Sequence, residues 1–374
     1  MKEFDVTKRD SQATEITPVS PENFDLDAYA SYEQSLLARA GDFWKASSGV
    51  AVYRRMRAAE VFSYACRDVP RSLALQLGCL QESMKYKADI PNFLEPWYGI
   101  GTTAAAYGIE YVWNEGLAPA VPVKFDTPAE ALQYEPAPIA ETGIGKFTLH
   151  MIEYFMDRTK GRLPMSFTDV QSPLNAATMI VENTHMLMDI ILDPDSVKRF
   201  LDTLADLAID FAAEQKKLIG DCLASPGHGF ASARNFEGYG QSDDSMIMLS
   251  GEQYTECAVP SFERIGMAFN GPAFHSCGDW SNKIPVVKQI RGLRMVDAAF
   301  STETDPNPNP AAPFAESFAH TGIVLNARIV GDVGTVEKTV RELWRPGLKL
   351  IVVTYCPTPE EQERAYEVIH GICC

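Results

Sequence analysis

The stretch Gly271-Pro-Ala-Phe-His275-Ser-Cys277 is a short apolar run that ends in polar residues, and a helical pattern follows it. The same kind of unit recurs towards the C-terminus, with apolar runs at 295–300, 322–326 and 348–355 and helical patterns between them. Continuous apolar strands that alternate with helices are typical of a parallel sheet covered on both faces. The sequence therefore predicts an α/β fold.

The first half of the chain shows this alternation less regularly. Apolar runs at 90–95, 163–169, 229–234 and 246–249 are predicted as strands. About eight strands counted from residue 90 favour a closed (β/α)8 barrel, a TIM barrel, over an open doubly wound sheet. An amphipathic pattern over 25–89 predicts helices there. We therefore expect an N-terminal arm and helical extension over residues 1–89 and the barrel over residues 90–374.

The composition excludes several classes of function. A net charge of −17 argues against binding nucleic acid through its phosphates and against docking on anionic membranes. The first ten residues are polar, and no run of about 18 apolar residues is present, so we expect a cytoplasmic protein. In a reducing compartment the eight cysteines are expected to be thiols.

Polar clusters stand at the ends of predicted strands, at 168–171, 242–245, 275–277 and 354–356. In a barrel of this kind the C-terminal ends of the strands open into one mouth, where the chemistry takes place. We therefore expect these four clusters to surround a common site, although they are far apart along the chain.

His275 and Cys277 are two residues apart on a predicted strand, so they point to the same side. Cys356 ends another predicted strand and offers a third ligand. One imidazole and two thiolates with one open position fit a catalytic Zn²⁺ site. The alternative is that these residues are ordinary buried side chains at strand ends.

Three more polar residues are candidates at the predicted barrel mouth: Asp169, Gln171 and Asp244. Carboxylates at such a place can take part in acid–base chemistry or bind a metal. Capping residues and solvated turns are the alternative interpretations. A loose G-x-G-x-x-A match at 99–104 lacks the context of a dinucleotide site and is not interpreted as one.

The segments 167–174 and 242–254, together with the H-x-C pair and Cys356, resemble one family. They are similar to the second-strand loop, the middle loop and the zinc ligands of the uroporphyrinogen decarboxylase superfamily, in its branch of zinc-dependent corrinoid methyltransferases. The resemblance covers roughly residues 90–374. It implies a (β/α)8 barrel, in agreement with the strand count.

The resemblance also implies a reaction. Enzymes of this branch move a methyl group between a corrinoid, free or on a partner protein, and a thiol such as coenzyme M. In this chain it implies Zn²⁺ on His275, Cys277 and Cys356. It also implies a fourth ligand from a carboxylate shortly after the H-x-C strand, for which Glu303 and Asp297 are the candidates. The expected partners are a corrinoid protein and a small methyl donor or acceptor.

In this interpretation Asp169, Gln171 and Asp244 orient the substrate. Enzymes of the decarboxylase branch instead bind their substrate with an arginine-containing N-terminal loop and need no metal. Here the segment Arg54-Arg55-Met-Arg57 is predicted to be part of a helix. Metal-independent decarboxylation of uroporphyrinogen or a related carboxylated ring is therefore the alternative function. A non-catalytic binding protein on the same scaffold is a third.

Overall fold

The computed structural model describes residues 11–114 and 118–373. The first ten residues, which belong to the predicted arm, lie outside the described residues, and so does Cys374. Within the described part, none of the helices combines the length and the apolar character needed to span a bilayer.

The described chain has one strand in its first half and alternates strands with helices from residue 239 onward. The strands are β1 Gly49–Arg54, β2 Tyr239–Ser242, β3 Pro272–His275, β4 Met295–Ala299, β5 Val324–Ile329 and β6 Lys349–Thr354. The helices are α1 Leu26–Lys45, α2 Ala59–Phe62, α3 Val69–Ser83, α4 Pro128–Ala131, α5 Gly143–Arg158, α6 Pro173–Ile180, α7 Asn183–Leu192, α8 Pro194–Ile219, α9 Gly251–Cys257, α10 Val259–Ala268, α11 Ile284–Val287, α12 Ala311–Phe318, α13 Val333–Leu343 and α14 Pro359–Ile372.

The six strands form one parallel sheet in the order β1-β6-β5-β4-β3-β2. Strands β3 to β6 confirm the apolar runs predicted in the second half. Both faces are buried, as expected for a parallel sheet. On β6, Leu350 and Val352 pack in one core cluster with Val336 of α13 and Ala365 of α14. Ile351 and Val353, which point the other way, pack in the core inside the curved sheet.

Short parallel pairings continue the sheet beyond its two edge strands. Asp89 N donates to the Val52 carbonyl at 2.8 Å, and Met165 pairs with both Leu94 and Leu223. Gly240 N donates to the Pro226 carbonyl at 2.9 Å, which leads back to β2. Together these contacts connect the edge strand β1 to the opposite edge strand β2. The α/β fold class is confirmed, and the architecture is that of a (β/α)8-type barrel whose first half is built from brief pairings.

The helical prediction for 25–89 is wrong at its centre. β1 lies there and pairs residue by residue with β6, from Gly49 opposite Lys349 to Arg54 opposite Thr354. The run Val50-Ala-Val-Tyr53 has the β-branched and aromatic residues of a strand. Residues 49–54, assigned above to the helical extension, therefore form a core strand of the barrel.

Two other predicted strands are also wrong in detail. Residues 246–249 fall largely in a 3₁₀ turn, Asp244–Met248, and the strand of this region is β2, just before it. The run 229–234 forms only a single antiparallel bridge, between Ser225 and Ala233. Both misplacements affect the site, because the loops around these strand ends carry its residues.

The helices follow their local sequence signals. α8 begins at Pro194, with the Asp193 side chain accepting a hydrogen bond from Ser196 N. The helical segment between β2 and β3 is divided into α9 and α10, and Pro260 lies in the first turn of α10. Proline lacks the N–H that a continuous helix needs, which accounts for the break.

Candidate functional site

A cavity of about 200 Å³ lies at the C-terminal ends of the strands. Three of the four predicted polar clusters, 168–171, 242–245 and 275–277, contribute to its lining. Arginines from the ends of β1 and β5 also line it. Active sites of barrels occupy this end of the strands. The cavity is therefore the candidate active site.

The cavity contains a cluster of three potential metal ligands: Asp244, His275 and Cys277. Their ligand atoms all lie within 4.8 Å of one another. His275 Nε2 is 3.4 Å from Cys277 Sγ and 3.8 Å from Asp244 Oδ1. Asp244 is held in place because its Oδ1 accepts a hydrogen bond from Cys277 N at 2.6 Å. The local backbone thus brings the carboxylate to the H-x-C pair.

The opposite side of the His275 ring is fixed by Asp297, a buried residue on β4. His275 Nδ1 lies 2.6 Å from Asp297 Oδ2, and Arg328 Nε donates to the same oxygen at 2.9 Å. Burial alone would raise the pKa of Asp297, but Arg328 and His275 outweigh it and lower the pKa. An ionised carboxylate only accepts hydrogen bonds. Nδ1 therefore carries a proton, and Nε2 is the nitrogen turned towards Cys277 and Asp244.

These residues fit a zinc ion. An imidazole, a thiolate and a carboxylate are all zinc ligands, and three protein ligands with an open position are typical of catalytic sites. In such sites a carboxylate usually accepts a hydrogen bond from the other ring nitrogen of the ligating histidine and fixes its orientation. Burial opposes protonation of His275, but its hydrogen bonds to Asp297 and Cys277 raise its pKa well above the usual value. Metal binding would therefore release a proton.

The structure does not bring Cys356 into this cluster, so the predicted set of His275, Cys277 and Cys356 needs correction. Cys356 is buried and packs in the core cluster on the helix-facing side of the sheet. Its neighbour Tyr355 packs on the interior side, and successive residues of an extended chain point to opposite faces. Burial raises the pKa of the Cys356 thiol to about 11. Asp244, predicted to orient the substrate, takes the third place near His275 and Cys277.

Glu303 also lies outside the cluster. It is exposed, and its backbone carbonyl accepts a hydrogen bond from Ser11 Oγ. Asp297, the other carboxylate considered for a fourth ligand, bonds to the far nitrogen of His275. It orients a ligand and does not itself reach the ligand cluster in this arrangement.

The adjacent residues Asp243 and Asp244 have different environments. Asp243 is buried and accepts hydrogen bonds from Ser172 Oγ at 2.8 Å and Tyr254 OH at 2.7 Å. Burial raises its pKa to about 6. Asp244 is only partly buried and lines the cavity. Asp243 thus ties three segments together, and only Asp244 is available for chemistry.

Asp169 and Gln171 line the cavity, as predicted, on a constrained loop. Asp169 Oδ1 accepts from Gln171 N at 2.8 Å, and Oδ2 accepts from Ser242 Oγ at 3.1 Å. Gln171 has a φ of +64°, unusual for a residue with a side chain. Its buried Oε1 has no hydrogen-bond partner among the described residues. Gly99 lets this loop pack closely, since a Cβ there would lie 1.7 Å from the Asp169 carbonyl oxygen.

The cavity lining also includes four basic residues that the sequence did not single out as site residues: Arg55, Arg57, His228 and Arg328. Arg55 and Arg57 follow β1, so the helical prediction concealed them. Arg328 is the penultimate residue of β5 and leaves Nη2 without a partner in the described chain. A polar residue at the end of an apolar strand is a signal that could have identified Arg328.

His228 belongs to a buried polar group beside the ligand cluster. Its Nδ1 is 2.8 Å from Glu95 Oε1, and Arg55 Nη2 is 3.5 Å from the same oxygen. Burial would raise the pKa of Glu95, but Arg55 and His228 lower it to about 2. Glu95 is therefore an anion at neutral pH. It balances the positive charge that Arg55 brings into the site.

Fold and site together define a parallel α/β barrel with a cluster of potential metal ligands at the C-terminal ends of its strands. The chain matches the family profile "Uroporphyrinogen decarboxylase (URO-D)" over residues 44–352. This match covers more than half of the chain, which therefore belongs to the uroporphyrinogen decarboxylase family.

Comparison with solved structures gives a similar fold. A methyltransferase from Methanosarcina mazei superposes with a TM-score of 0.58 and 14% sequence identity, over 91% of this chain and 97% of the other. At this identity the likeness concerns the fold. No curated protein sequence matches the chain significantly.

Proposed function

We propose that this protein is a zinc-dependent methyltransferase that moves a methyl group between a corrinoid and a small thiol. The observation that carries the proposal is the cluster of His275 Nε2, Cys277 Sγ and Asp244 Oδ1, with Asp297 holding the far side of the imidazole. The wider family resemblance supports the same function.

Asp244, His275 and Cys277 would hold the metal, and Asp297 would keep the imidazole in the ligating orientation. A zinc ion bound there would supply a Lewis acid that lowers the pKa of a thiol. Gln171 Oε1 and Arg328 Nη2, both without partners in the described chain, would contact polar groups of the substrate. Asp169 holds the loop that presents Gln171.

The size of the cavity suits the smaller substrate. A volume of about 200 Å³ accommodates a small thiol and is too small to enclose a corrinoid. The corrinoid, free or on a partner protein, would therefore dock over the mouth of the cavity. A cytoplasmic location and the corrinoid protein as partner stay predictions.

The test combines metal analysis with an assay of methylcobalamin demethylation by small thiols. We expect about one zinc ion per purified chain and thiol-dependent loss of the methyl group from methylcobalamin. Both should be lost in a Cys277→Ser variant and retained in a Cys356→Ser variant. Full zinc occupancy in the His275→Ala variant and in the Cys277→Ser variant would contradict the assigned site.

One observation favours a second candidate, metal-independent decarboxylation. Arg55 and Arg57 follow β1 and line the cavity, whereas the sequence predicted them in a helix. Such arginines can bind the carboxylates of a substrate. Turnover of a carboxylated ring that persists after complete removal of metal by a chelator would favour this candidate over methyl transfer.

A further inference from the structure

His228 is presented to the cavity by a short loop with an unusual backbone. The flanking residues Gly227 and Gly229 have φ of +129° and +85°, in a region that favours glycine. Ser232 Oγ lies 3.0 Å from Gly227 N and 3.1 Å from Gly227 O, which clamps the loop. The loop therefore holds the imidazole in a defined position.

The ring of His228 is also held by its neighbours. It packs against the ring of Trp97 at 4.7 Å and that of Phe62 at 5.8 Å between centroids. The side chain is 12% exposed, and its Nδ1 lies 2.8 Å from Glu95 Oε1. Because Glu95 is an anion and can only accept, Nδ1 donates the hydrogen bond. In the neutral imidazole the lone pair then lies on Nε2.

This lone pair is placed in the candidate active site. His228 lines the same cavity as His275 and Cys277. Within the described chain the structure gives Nε2 no hydrogen-bond partner. Three charged groups surround His228 and Glu95. Arg55 and Arg57 attract the Glu95 carboxylate and lower its pKa. Asp169 lies near His228, which favours the ionised form of that carboxyl. A histidine oriented by a carboxylate, with its second nitrogen open to the substrate, is the arrangement of a general base.

We infer that His228 accepts the proton of the thiol substrate in the proposed methyl transfer, with Glu95 as its positioning residue. This inference rests on the proposed function. The thiol S–H bond breaks, the proton moves to His228 Nε2, and the electron pair stays on sulfur. A sulfur–carbon bond then forms as the cobalt–carbon bond of methylcob(III)alamin breaks. Its electron pair remains on cobalt, which becomes cob(I)alamin, so the thioether is the product.

The kinetic test compares thiols that differ in acidity. An alkyl thiol is protonated at neutral pH and needs a base, whereas thiophenol is largely ionised and does not. We expect His228→Gln to lower kcat with the alkyl thiol about 10²-fold and to leave thiophenol nearly unchanged. His150→Gln, at an exposed position of α5, is the matched control and should behave as wild type. Zinc content should stay the same in all three proteins.

Equal losses with both thiols, or no loss with either, would overturn the role of His228. A wild-type protein that turns over no thiol would instead overturn the proposed function, and this role with it. Nitrogen NMR of ¹⁵N-histidine-labelled wild-type protein provides a test without turnover, with the His228→Gln spectrum for assignment. We expect the Nδ1–H tautomer of neutral His228, and the Nε2–H tautomer would refute the inference.

Discussion

Cys277 and Cys356 both follow apolar strands of one parallel sheet, yet they lie in different surroundings. Cys277 is exposed at the cavity, with its Sγ 3.4 Å from His275 Nε2. Cys356 is buried against the helices and belongs to the outer core. Each cysteine lies two residues beyond the last residue of its strand, and the face of the strand differs. The comparison shows that a strand end places a residue near the mouth, while the alternation of faces decides whether it reaches the site.

The largest expected difference between the two cysteines concerns metal affinity. His275→Ala or Cys277→Ser removes a proposed ligand and should weaken zinc binding by about 10²-fold or more. Loss of a residue that only supports a ligand already costs about 10- to 100-fold. Cys356→Ser should leave the affinity unchanged. Competition titration with a chromophoric chelator measures each dissociation constant. Weak zinc binding in Cys356→Ser with normal binding in Cys277→Ser would reverse the comparison.

Thiol reactivity should separate the two positions next. Burial raises the pKa of Cys356 from 9.0 to about 11, which lowers its thiolate fraction about 10²-fold, and burial also excludes the reagent. In metal-free protein Cys277 should therefore be alkylated by iodoacetamide at least about 10²-fold faster than Cys356. Peptide mapping by mass spectrometry follows each site. Added zinc should protect Cys277 and have no effect at Cys356.

The pH dependence of stability tests the cavity side of the sheet. The pKa of Glu95 is about 2 in the folded protein, against 4.5 for a glutamate without partners, as in the unfolded chain. The contribution of Glu95 to stability is therefore complete above pH 4.5 and is lost as the pH falls towards 2. The contribution is at most on the order of 3 kcal/mol. Glu95→Gln should flatten the decline in unfolding free energy between these pH values, as measured by urea titrations. Glu303→Gln, at an exposed site, should decline as wild type does.

The smallest expected effect is on packing. Cys356→Ala leaves a small cavity in the outer core and should lower the unfolding free energy by about 1 kcal/mol. Cys277→Ala, at an exposed position, should change it by less than about 0.5 kcal/mol. Urea unfolding of the metal-free variants measures both. A larger loss for Cys277→Ala than for Cys356→Ala would show that the assigned faces are wrong.

The sequence predicted the H-x-C pair but could not orient Cys356, and the reason is physical. Residues two apart on a strand share a face whichever face that is, so His275 and Cys277 stay together. The run Leu350-Ile-Val-Val353 is apolar on both faces because both are covered, and it carries no alternation from which the face of Cys356 can be determined. The proposed set of three ligands, Asp244, His275 and Cys277, therefore required the structure.

The missed strand has a similar explanation. The run Val50-Ala-Val-Tyr53 is short and lies between two helical segments. In the sequence its apolar residues therefore look like a continuation of the apolar faces of those helices. Because β1 was not predicted, Arg55 and Arg57, which follow it, were not recognised as site residues. His228 is a single histidine in a glycine-rich loop and has no spacing pattern. The second half was predictable because each apolar run there is separated from the next by a helical pattern.

The pairing of β1 with β6 joins residues 49–54 to residues 349–354. During synthesis on the ribosome, β1 therefore emerges long before its partner β6. Until then the hydrogen-bonding groups on that side of β1 remain unsatisfied, and an open edge of this kind is a site of aggregation. Barrel closure is thus a late, long-range event, and nascent chains that stop before residue 349 should depend on chaperones to stay unaggregated.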